Sequence, residues 1–238
     1  MARRGTVGAL LGSGLVAITA LGGAGGYGVG LLIGEAQPAV ASGAAAPLGT
    51  TAPTTSVTQG PGAPTRTPKP DNRPALQADD LSYKTRSFTA ELQVKSHVSA
   101  RVPYNWRITQ PDPPNYARFT DPTSKRWIRI EAGFTISRPP AASMAARIKD
   151  LNALDKSQLL TIVSQQVEDD QATLVYSYLP PESQSPEGVL RYVIVRWVAD
   201  DSGLCAIEMS STGFPQDKVA LMDVLDHASK SVVRRDAP

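Results

Sequence analysis

"VLRYVIVRWV", Val189 to Val198, decides the fold of this 238-residue chain. Its apolar residues fall on both faces of an extended strand, the pattern of a central strand buried on two sides, so something must pack on each face of the sheet it belongs to. Further candidate strands surround it, each rich in β-branched or aromatic residues: 88–94, 97–102, 116–120, 126–136, 159–167, 172–179 and 204–210. The connections "DPTSK" (121–125), "EDDQ" (168–171), "PPESQSPEG" (180–188) and "DDSG" (200–203) have hairpin length, which predicts an antiparallel meander.

Two stretches have helical period instead. "PPAASMAARIKDLNALD" (139–155) opens on prolines suited to a first turn and puts Met144, Ile148, Leu151 and Leu154 on one stripe. "PQDKVALMDVLDHASKSVV" (215–233) does the same with Leu221, Met222, Leu225 and Ala228. The expected fold class is therefore α+β: a mainly antiparallel sheet covered by amphipathic helices, an α/β/α sandwich.

Upstream of residue 81 the composition changes. Arg3 and Arg4 precede an uncharged run from Gly5 to Gly34, which as a helix would cover about 45 Å against a hydrocarbon core of about 30 Å. Residues 1–35 read as a single-pass anchor with the amino terminus cytoplasmic and the rest outside. The alternative is a signal peptide cut after small residues, as at Ala20-Leu21-Gly22 or Ala39-Val40-Ala41, which leaves the same domain outside. The run holds "GGAGGYGVGLLIG" (22–34), in which Gly23, Gly25 and Gly28 match a dinucleotide-binding fingerprint. That fingerprint needs a βαβ unit and an acid about 20 residues on; "GAAAPLGTTAPTT" has neither, so the reading is rejected. Gly22, Gly26, Gly30 and Gly34 form a four-residue stripe suited to anchor-mediated homodimerisation, or simply reflect an Ala/Gly-rich anchor. Residues 36–80 carry 8 prolines and no aromatic residue, which predicts a disordered tether spanning about 35–40 Å, a plain spacer or an O-glycosylated stalk. The globular domain is expected over residues 81–238.

Within those residues 19 Lys+Arg face 18 Asp+Glu without a basic cluster, so no nucleic-acid partner is nominated. Cys205 is the single cysteine; it reads as a buried residue sharing a strand face with Ile207 and Met209. Serine-nucleophile and zinc-binding motifs are missing, and the two histidines, His97 and His227, mark no metal set; no catalytic residue, metal or cofactor is assigned. The pairs Asp169-Asp170 and Asp200-Asp201 read as turn formers rather than catalytic acids.

The string "HVSARVPYNWRI" (97–108), followed by a strand ending "FTDP", the strand "RWIRIEAGF", a helix, four hairpin-linked strands and a closing helix, resembles the PsbP-like domain, including actinobacterial LpqN-type envelope proteins. The resemblance spans about residues 81–235, with Asn105 at a turn that usually carries glycine and without the lipoprotein cysteine. It implies a non-catalytic extracytoplasmic binding or accessory module with an envelope protein as partner, and transfers no site residues. An envelope hydrolase or transferase with an unmarked site, and a structural subunit of an envelope complex, are the alternatives.

The candidate partner surface comes from strand alternation. If Phe119, Ile128, Ile130 and Phe134 face inward, then Tyr116, Arg118, Trp127 and Arg129 turn outward, an arginine–aromatic mix enriched at interfaces, with Tyr104 at its border. A cross-strand ladder on a covered face is the bland alternative.

Overall fold

The computed structural model describes residues 66–134 and 137–237; the expected anchor, its glycine stripe and the first part of the tether lie outside them. Ten strands and two helices follow in order: β1 Tyr83–Glu91, β2 Lys95–Pro103, β3 Arg107–Thr109, β4 Tyr116–Thr120, β5 Trp127–Glu131, α1 Pro140–Asn152, β6 Thr161–Val167, β7 Gln171–Tyr178, β8 Arg191–Ala199, β9 Cys205–Gly213, α2 Lys218–Ser231 and β10 Val233–Asp236. The fold is α+β with antiparallel sheets.

The larger sheet has the order β3-β4-β5-β9-β8-β7-β6. It joins two meanders, β3 to β5 and β6 to β9, along the antiparallel β5–β9 pair. Strand β8, the core of "VLRYVIVRWV", is third from one edge and is apolar on both faces as its pattern requires. On one face Val193, Val195 and Trp197 pack with Leu174, Tyr176 and the α1 residues Met144 and Leu151. On the other Ile194 joins Ile128, Ile130, Phe119 and Met209 beneath Leu221, Val224, Leu225 and Ala228 of α2. Burying each such side chain contributes about 1.5–3 kcal/mol.

Several expectations are corrected. Strands β1 and β2 do not extend the main sheet; β2 pairs with β1 on one side and with β10, a strand the sequence reading missed, on the other, in a separate three-stranded sheet whose Phe88, Val98 and Val102 close the α2-side core. Phe134 leaves the Ile128/Ile130 face, because β5 ends at Glu131 and the chain turns at Gly133. Gly133 has φ +80°, and a Cβ there would stand 3.0 Å from the Leu92 nitrogen and the Val94 oxygen, so only glycine fits. A register shift at Val198/Ala199 sends Cys205 into the α1-side core, away from Ile207 and Met209. Burial pushes its thiol up to about 12.

The last correction concerns the tether, whose residues 66–80 are packed on the domain. The Arg66 guanidinium donates to the Pro180 carbonyl (2.7 Å), and Lys69 N–H donates to the Gly188 carbonyl (2.8 Å). Arg73 pairs with Asp71 and Glu187, and Leu76 packs on the core. The anchor point is Asp217, which has no exposed surface. Its Oδ1 accepts from Leu76 N–H (2.7 Å) and Arg126 Nη2 (3.0 Å), its Oδ2 from Arg126 Nε (2.8 Å) and Phe214 N–H (3.0 Å). Proline and small residues gave no apolar periodicity to read; backbone groups and charges hold this strap instead. Gly213 is small for the same reason, since a Cβ there would lie 2.9 Å from Asp217 Oδ2.

Removing one partner of a buried pair leaves the other charge uncompensated, a loss of about 3–5 kcal/mol. Because buried Asp121 stays 3.7 Å from Arg126, Asp217→Asn is expected to lose toward the lower end of that range, about 3 kcal/mol, in urea unfolding, and Arg126→Met with Asp217→Leu to recover a large part of it; a loss below about 1 kcal/mol for Asp217→Asn would refute the role.

Candidate functional site

The α1-side face of the main sheet is laid out in rows that run across the strands. The first is Tyr116, Glu131, Glu208 and Trp197; the second Arg118, Arg129, Ser210 and Val195; the third Thr120, Trp127, Thr212 and Val193. Arg191 and Tyr178 begin the next. The β7–β8 half is apolar and lies under α1, whereas the β4–β5–β9 half carries the arginines, carboxylates and rings.

Four of the five candidate residues therefore share one face, opposite Phe119, Ile128 and Ile130. Their expected exposure is corrected: Trp127 and Arg129 are each only 7 % exposed, and Tyr116 and Arg118 are half-buried. Strand β5 lies between β4 and β9, and guanidinium groups lie over the ring of its Trp127 and over those of Tyr116 and Phe214. Arg118 Cζ stands 4.1 Å from the Trp127 ring centroid, Arg129 Cζ 4.0 Å from that of Tyr116, and Arg191 Cζ 4.6 Å from Phe214 and 5.8 Å from Trp127. Such contacts give about 0.5–1 kcal/mol at exposed sites and about 2 when desolvated. Tyr104 is apart from them, 60 % exposed after β2 in the other sheet, with Lys84 Nζ 3.7 Å from its ring.

Two carboxylates that the sequence reading passed over stand opposite each other. Glu131 and Glu208 are direct partners across β5 and β9. Arg129 Nη2 reaches Glu131 Oε2 at 2.7 Å; Arg147 Nη2 of α1 reaches Glu208 Oε1 at 2.6 Å, and Trp197 Nε1 donates to Glu208 Oε2 at 2.9 Å. Burial raises the Glu131 pKa; Arg129 opposes and Glu208 adds to the rise. Burial likewise carries the phenol of Tyr176 far above its ordinary value. The available signal was alternation itself: Glu131 continues the Trp127–Arg129 face, and Glu208 occupies the matching position in "GLCAIEM".

Beside the rings, Lys125, Arg73 and Glu187 are paired with one another. Glu187 holds Lys125 and Arg73, and those hydrogen bonds depress its pKa to about 2. His97 lies on β2 beside Thr89, while His227 stacks on Tyr83 at 3.8 Å, so the histidines do not meet. Among the described residues no three His, Cys, Asp or Glu groups converge to hold a metal. Asp170 and Asp200 lie in turns, with Asp200 Oδ1 accepting from Ser202 N–H at 2.9 Å. No known family model matches the chain, and no curated relative does.

A carboxyl whose pKa is raised in the folded state stabilises the fold below the ordinary value near 4.5 and loses that contribution as pH climbs through the raised value. Wild-type stability relative to Glu131→Gln, from urea unfolding at successive pH values, should accordingly fall as pH rises above 4.5. A rise would mean that the Arg129 ion pair outweighs burial.

Proposed function

We propose that this chain is a membrane-tethered extracytoplasmic binding module of a cell envelope, a PsbP-like α/β/α sandwich whose arginine–aromatic face engages a ligand or envelope partner. The observation that carries the reading is that face: three arginines stacked on Tyr116, Trp127 and Phe214, with Arg129, Trp127 and Phe214 buried and Tyr116, Arg118 and Arg191 half-buried. Arginine, tryptophan and tyrosine dominate binding hot spots because they combine large apolar area with fixed donors. A helix on each face of the main sheet supports the sandwich resemblance. The long uncharged segment after Arg3 and Arg4 supports the anchor, and the proline-rich stretch that follows supports a tether, now shortened to end near Arg66.

One observation favours a second reading, an envelope hydrolase or transferase. Glu131 and Glu208 oppose each other beside Arg147 and buried Tyr176, an arrangement able to hold a proton on one carboxyl and charge on the other. Turnover separates the two: a binding module returns its ligand chemically unchanged.

The test is in-cell crosslinking from the full-length protein with a photoreactive residue in place of Tyr116, against the same residue in place of exposed Leu92. A recurrent adduct at position 116, lost on Arg118→Gln, is expected. Adducts as scattered at 116 as at 92 would overturn the assignment of this face.

A further inference from the structure

Charges around the polar face pair off, with two exceptions. Asp217 takes Arg126, Glu187 takes Lys125 and Arg73, Glu131 takes Arg129, and Glu208 takes Arg147. Among the described residues neither Arg118 nor Arg191 has a carboxylate at ion-pair distance. Arg191 spends one N–H on the Lys125 carbonyl (3.2 Å); the buried Nε of Arg118 makes no hydrogen bond. Both guanidinium groups nonetheless approach one ring, Trp127, at 4.1 and 5.8 Å. Burial, together with Arg129 and Arg191, depresses the Arg118 pKa, as expected of cations crowded in a poorly solvated place.

Two neighbours share this lack. The indole Nε1 of Trp127 and the hydroxyl of Thr212, its direct partner across β5 and β9, are buried without a hydrogen-bond partner. Native folds rarely leave such groups unsatisfied, and the exceptions call for an explanation. Here each of them can donate: two forked guanidinium groups, an indole N–H and a hydroxyl, with the neighbouring carboxylates already engaged by other cations. A cationic or neutral ligand would leave the crowded positive charge where it is. An oxyanion is the ligand class whose charge and acceptor atoms match these donors, and its charge would relieve the repulsion.

We propose that Arg118 and Arg191, with the Trp127 indole N–H and the Thr212 hydroxyl, form a binding site for an oxyanion, the carboxylate or phosphate group of a small ligand. The proposal rests on the reading of this face as a binding surface and names the chemistry it recognises. Arg118 is then a functional residue kept at some cost to the ligand-free fold, since removing it removes a repelled, half-buried charge.

The test uses the full-length protein in mild detergent with 15N-labelled tryptophan indoles, which gives one resonance each from Trp106, Trp127 and Trp197. Inorganic phosphate, acetate and chloride are titrated separately at matched ionic strength. The expected result is a saturable shift of the Trp127 indole with phosphate or acetate and not with chloride, while Trp106 and Trp197 stay still. Which of the two anions binds more tightly assigns the group as phosphate or carboxylate. Arg118→Gln should abolish the shift and unfold thermally no earlier than wild type without anion; Arg191→Gln should also abolish it, a second route should the first variant fold poorly. A Trp127 resonance unmoved by either oxyanion, or moved equally in both variants, would overturn the site. With the crosslink from position 116 intact, that failure would fall on the oxyanion alone and leave the binding reading standing.

Discussion

Asp217 gathers three parts of the chain that the sequence keeps far apart. Its oxygens bind the Arg126 guanidinium at the start of β5, the Phe214 amide at the end of β9, and the Leu76 amide of the strap. Arg126 in turn donates to the Pro74 carbonyl at 2.7 Å, so the charge pair holds the strap from both sides. Every oxygen and most of the donors are satisfied, the condition under which a buried pair is tolerated; its loss on one side is what makes it costly.

The polar face depends on this pair. Asp217 neutralises Arg126 and fixes Phe214, whose ring then lies within 4.4 to 5.5 Å of the guanidinium carbons of Arg73, Arg126 and Arg191. Arg191 reaches Trp127 from that position. Loosening Asp217 would free Phe214 and with it the arrangement of Arg191 over the β5 face, so stability and the site are coupled through one carboxylate. The Glu131–Glu208 row is held from the other direction, by Arg147 of α1, which makes the α1 helix part of the site's frame as well as its neighbour's cover.

Much of this was legible in the residues. Double-faced apolar content placed β8 inside the sheet, helical stripes located α1 and α2 with Met144, Leu151, Leu221 and Leu225 buried, and alternation assigned Arg118, Trp127 and Arg129 to one face. What escaped were features that periodicity does not encode. Strand β10 is only four residues, "VRRD", with no apolar alternation, and owes its existence to pairing with β2. The strap is held by backbone donors and charges, so its Pro-rich composition read as disorder. Cys205 changed faces because the bulge at Ala206 reverses the alternation between it and Ile207. Trp127 and Arg129 were placed on the right face but at the wrong depth, since alternation reports direction and not what lies above.

Hydrogen exchange at the Leu76 and Phe214 amides tests the role of Asp217 most directly, because both N–H groups donate to its carboxylate. The account predicts that the two amides exchange as slowly as the central amides of β8, opening only with global unfolding. Free exchange at Leu76 while β8 stays protected would contradict it: the strap would then be a loose tether, and Asp217 would not be what joins it to the domain.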